Sequence, residues 1–112
     1  MVVILIRRFV RADKEDEFLR NYLAQKPLEN PEFLGETLTR VSDATGMPAG
    51  LRGFALNGSS CVTYLNIAQW QSWEAFAAHF AQQLTLTGDF NPEIETAPRQ
   101  RAVLDVIPSE AN

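Results

Sequence analysis

Histidine and cysteine each occur once in this chain of 112 residues, as His79 and Cys61. One cysteine excludes an internal disulfide and any cysteine-built zinc centre, and a lone histidine leaves the acidic residues without metal-ligand spacing. Positive charge is also short, with 10 Lys and Arg against 14 Asp and Glu and a formal charge of −4. A nucleic-acid binder normally gathers basic residues on one face, whereas the local group Arg7, Arg8 and Arg11 runs at once into acidic residues. Long apolar runs are missing too. The run over 2–6 is too short for the apolar part of a signal peptide and has no charged segment before it. Nothing approaches membrane-spanning length. These absences predict a cytoplasmic, soluble protein with neither nucleic acid nor membrane as partner. The 46% of hydrophobic residues that remain can build the core of one domain over 1–112.

Periodicity then gives an order of elements. Residues 2–10 are a near-continuous apolar run, a first strand of the kind covered on both faces. Asp13 is placed to cap a helix whose first turn holds Glu15, Asp16 and Glu17 and whose apolar stripe is Phe18, Leu19, Tyr22 and Leu23. Pro27 should stop that helix near Lys26. A second strand over 33–41 puts Leu34, Glu36, Leu38 and Arg40 on one face and Phe33, Gly35, Thr37, Thr39 and Val41 on the other. The glycine-rich 42–60 stretch is a long connection, with room for a short strand at 52–56. A third strand over 61–69 leads to Ser72, the expected cap of a second helix carrying Phe76, His79 and Phe80 on one side. At most a short helix fits in 85–98, and 101–107 is the last strand, ended by Pro108.

This βαββαβ order predicts an α+β, ferredoxin-like fold, an antiparallel sheet with both helices on one face. Thr63, Leu65 and Ile67 then lie on the other face, with no helix to cover them. A homodimer is the expected cover.

The segment 64–80 carries the strongest functional signal. Val62, Tyr64, Asn66, Ala68 and Trp70 alternate with Cys61, Thr63, Leu65, Ile67 and Gln69, so Asn66 and Trp70 share one face, roughly 13 Å apart along an extended strand. An amide and an indole N–H on a face that otherwise wants apolar groups suggest a pocket. Trp70 also reads as an aromatic closing the core. The amide of Asn66 is harder to accommodate in an apolar core.

Over nearly its whole length the chain resembles the antibiotic biosynthesis monooxygenase superfamily, the dimeric α+β barrels. The resemblance rests on Ala12-Asp13-Lys14-Glu15-Asp16-Glu17-Phe18, Phe33-Leu34-Gly35, Tyr64-Leu65-Asn66-Ile67-Ala68-Gln69-Trp70, Trp73-Glu74-Ala75-Phe76-Ala77-Ala78-His79 and Arg101-Ala102-Val103-Leu104-Asp105-Val106-Ile107. It implies a cofactor-independent monooxygenase, without metal or flavin, that oxidises a small phenol, quinol or polyketide-like aromatic with O2. Asn66 and Trp70 match the Asn and Trp that line the substrate pocket in such enzymes. His79 is the candidate general base, although it also reads as an ordinary packed imidazole. Arg7 or Arg40 would steady an anionic substrate oxygen, and Tyr22 and Phe76 would line the same pocket. A non-catalytic ligand-binding or interaction barrel is the alternative. The haem-degrading relatives stand third, because Arg7 occupies the position of their first-strand Asn and no His follows His79.

Overall fold

The computed structural model describes residues 1–42, 47–57, 60–84 and 90–108, apart from the side chains of 82–84. The elements are β1 (Val2–Arg11), a 3-10 turn (Ala12–Lys14), α1 (Glu15–Leu23), β2 (Phe33–Arg40), β3 (Cys61–Trp70), α2 (Trp73–Leu84) and β4 (Gln100–Asp105). The sheet order is β2-β3-β1-β4 with every neighbouring pair antiparallel, the ferredoxin-like α+β arrangement expected from the sequence. No helix among the described residues is long and apolar enough to cross a membrane.

The two-residue period of the central strands sorts the side chains. Buried apolar strand positions on β1 and β3 are Val2, Ile4, Val10, Val62, Tyr64, Ala68 and Trp70, all even-numbered and all on the helix side. They form two separate cores. Val2, Ile4, Ala68 and Trp70 pack with Ala75 and Phe76 of α2, while Val10, Val62 and Tyr64 pack with Phe18 of α1 and with Ile94. Between the two cores the even positions are occupied by Ile6, Arg8 and Asn66.

Several local expectations are corrected. Asp13 does not cap α1: the chain enters through the 3-10 turn, and Lys14 stands at the cap position with no side-chain cap bond. The helix closes at Leu23, short of Lys26, with Ala24 N–H on the Arg20 carbonyl at 3.1 Å. Ser72 does cap α2, its Oγ accepting from Ala75 N at 3.1 Å. In β2 the partners of Trp70 and Gln69 are Phe33 and Gly35, a bulge that leaves Leu34 extra. The bulge turns Phe33 to the helix side, against the simple alternation, and Gly35 supplies the positive φ of 145° that it needs.

On the far face Val3, Leu5, Leu65 and Ile67 are half-buried. This corrects the expectation that β1 is covered on both sides within one chain. The described part of the 42–60 connection forms no strand at 52–56, because its polar groups go elsewhere. Leu56 O accepts from Thr63 Oγ1 at 2.7 Å and from Arg7 at 3.1 Å, and Asn57 Oδ1 accepts from Thr63 N at 2.7 Å. The connection thus buries Thr63 completely and covers one end of the face. Of the 85–98 segment, residues 85–89 lie outside the described residues, and 90–98 contains no helix.

Candidate functional site

A cavity of about 380 Å³ opens where the even-numbered row lacks apolar residues, at the lower end of the size range of small-molecule sites. Ile6 and Asn66 lie in its floor, Phe33, Phe76 and Phe80 form an aromatic wall, and the stretch Gln25, Lys26, Pro27 and Leu28 contributes to its lining. The bulge in β2 brings Phe33 to this wall. Tyr22 reaches it from α1, Glu36 from β2, and Arg8, Arg99 and Arg101 from the β1–β4 side.

Tyr22 donates its hydroxyl to Glu36 Oε2 at 2.8 Å. Burial, and then this carboxylate, push its pKa up to about 12, with the Asn66 amide and Arg8 pulling the other way. Tyr22 therefore stands in the wall as a neutral phenol that holds Glu36 in place. Asn66 is only 2% exposed, and its Oδ1 has no hydrogen-bond partner among the described residues. An unpaired buried acceptor costs roughly 1–3 kcal/mol. The terminal torsion of an Asn side chain is soft, so the amide can offer either its oxygen or its nitrogen to a ligand.

Behind the cavity Glu95, 1% exposed, serves two cations. Arg8 Nε and Arg99 Nε both donate to Oε1 at 3.1 Å, and a second Arg99 nitrogen donates to Oε2 at 3.0 Å. Arg8 also stacks over the Phe18 ring, 4.5 Å from its centroid. Burial first and the Arg99 charge second lower its pKa, against the opposing pull of Glu95. A smaller space of about 170 Å³ adjoins this group.

The structure brings Asn66, Tyr22 and Phe76 to the cavity and leaves four other predicted residues outside its lining. Trp70 is buried in the aromatic cluster, with Phe33, Phe76, His79 and Phe80 at centroid distances of 5.3, 5.8, 5.5 and 6.1 Å, so it backs the wall from behind. His79 packs against Trp70 and Phe80, and its Nδ1 meets Asn30 Nδ2 at 3.1 Å. Arg7 has odd parity and so lies on the far face, bound to Leu56 O and over the Phe9 ring. Arg40 is drawn to Glu15 by two hydrogen bonds of 2.7 and 3.2 Å. Glu15 also accepts from Tyr64 at 2.7 Å, so it is more than a solvated helix start.

Arg8, Glu36, Arg99 and Arg101 are the cavity residues that sequence reasoning passed over. For Arg8 a signal existed, since it shares the helix-facing parity of Val2, Ile4 and Val10. Glu36 had one too, being placed on the face of Leu38. Arg99 and Glu95 had none, because 90–99 has no regular period.

Comparison with protein-family profiles finds no match, and comparison with curated proteins finds none. Solved structures do match. A point mutant of MhuD with two manganese protoporphyrin IX molecules bound per active site superposes with a TM-score of 0.62 at 18% identity, covering 97% of both chains. A Bacillus cereus protein described as a candidate antibiotic biosynthesis monooxygenase gives a TM-score of 0.55 at 14% identity, over 99% of this chain and 95% of that one. From end to end, this chain has the fold of the antibiotic biosynthesis monooxygenase-type structures.

Proposed function

We propose that the chain is a cofactor-independent monooxygenase that oxidises a small phenol, quinol or polyketide-like aromatic with O2, working as a homodimer. The observation that carries this reading is the cavity, with its aromatic wall of Phe33, Phe76 and Phe80 and the buried amide of Asn66 in its floor. In such a reaction the deprotonated aromatic itself gives electrons to O2. One oxygen atom enters a ring carbon as a carbonyl, and the other leaves as water. The protein supplies a water-poor chamber, hydrogen bonds to the phenolic oxygen and a proton acceptor. Asn66 addresses that oxygen, and Glu36, held by Tyr22, receives the proton. Trp70 and His79 set the position of the wall from behind.

Oxygen uptake with a panel of quinols and anthrone-like phenols tests this. Asn66→Ala should lower kcat/KM roughly a hundredfold, with Glu36→Gln lowering kcat. Unchanged turnover in Asn66→Ala would remove the assignment of the site.

One observation favours a second reading, a non-catalytic ligand-binding barrel. The single imidazole of the chain is engaged by Asn30 and not by the cavity. That reading expects aromatic ligands to bind without any uptake of O2. A haem site gains nothing from His79, which lies outside the cavity lining.

A further inference from the structure

We propose that the aromatic ligand of this cavity carries a carboxylate, held by Arg101 and Arg99, while its phenolic end reaches Asn66. This rests on the reading of the cavity as the substrate site and specifies which aromatics enter it.

The first observation is a charge reversal. The whole chain is acidic, with a formal charge of −4, yet the cavity lining gathers Arg8, Arg99, Arg101 and Lys26 around the single carboxylate of Glu36. Glu95 offsets part of this, but its one negative charge is divided between Arg8 and Arg99. With both carboxylates set against the four cations, two positive charges remain in excess. Excess like charge next to an apolar chamber is costly unless an anion completes it.

The second observation is position. Ile6 pairs with Asn66 across β1 and β3, and with Arg101 across β1 and β4. Asn66, Ile6 and Arg101 therefore form one row on the helix side of the sheet. Two strand spacings separate the outer pair, about 10 Å between backbones. An aryl ring lying on Ile6 beneath Phe76 and Phe80 would present one end to the Asn66 amide. Its other end would meet the planar guanidinium forks, which match a carboxylate in geometry as well as charge. The unpaired Asn66 oxygen requires a donor, which the phenol O–H supplies.

Titration calorimetry with a hydroxynaphthoate and the corresponding naphthol separates the contributions, because the two probes share a ring and differ in the carboxylate. The wild-type protein should bind the acid at least about tenfold more tightly at low salt, the scale of a hydrogen bond to a charged group. The margin should shrink as salt rises. Arg101→Gln and Arg99→Gln should each reduce the affinity for the acid toward that of the naphthol. Equal affinity of the two probes for the wild-type protein overturns the inference and leaves the cavity as an aromatic site. A preference for the acid that survives in both variants also overturns it, because the anion then sits elsewhere. If neither probe binds, the inference and the site reading fall together. The wild-type comparison stands even where a variant does not fold. Acid-selective binding without oxygen uptake supports the inference while sinking only the monooxygenase reading.

Discussion

Both tyrosines of the chain donate to a carboxylate, Tyr22 to Glu36 and Tyr64 to Glu15. Burial, followed by that carboxylate, raises each phenol to a pKa of about 12, from an ordinary value of about 10. A raised folded-state pKa means that the native protein holds the proton more tightly than the unfolded chain. The corresponding stability is complete below about pH 10 and drains away as pH climbs toward about 12. Tyrosinate absorbance should accordingly stay low in the native protein well past the point where the urea-unfolded chain has titrated. Ionisation of both phenols near pH 10 with unchanged circular dichroism would contradict this. At this scale Asn66 was legible, since an amide on an apolar face is conspicuous without any structure. The arginines were half-legible: parity separates Arg7 from Arg8, but only the register and the partners show which one borders a space.

The segment 90–99 shows what periodicity cannot reach. It is neither helix nor regular strand, yet it is stitched to β1 by Arg11 N on Ile94 O and Thr96 N on Phe9 O, both at 2.8 Å. Glu95 lies between these stitches, bridged to Val10, with its carboxylate turned to Arg8 and Arg99. Removing that carboxylate leaves Arg8, 9% exposed, without its acidic partner. Glu95→Ala should therefore cost about 3–5 kcal/mol in urea unfolding, whereas Glu93→Ala, on the exposed side of the same turn, should change little. A loss below about 1 kcal/mol for Glu95→Ala would mean that the cluster is not desolvated enough to matter. The regular elements were far more legible. The order of strands and helices and the Ser72 cap could be read directly, because burial on one side imposes a period on the sequence. The bulge at Leu34 broke the period for one residue, and Phe33 was assigned to the wrong face for that reason alone.

For the molecule as a whole, the face turned away from the helices is the open question of assembly. Its loop-covered end is sealed at Thr63, while Val3, Leu5, Leu65 and Ile67 remain half-buried and Leu104 is 47% exposed. A second copy laid on this face would cover them. Sedimentation should find a dimer for the wild-type chain and a folded monomer for Ile67→Asp; a wild-type monomer at micromolar concentration would end the homodimer proposal. The opposite face has a different character. Its apolar packing is divided into two nuclei, one under each helix, with a hollow where a continuous core would have its middle. The domain is thus built as two half-cores meeting over an unfilled joint. Whatever molecule enters that joint completes the interior as a side chain would, so recognising a ligand and finishing the fold become the same physical act.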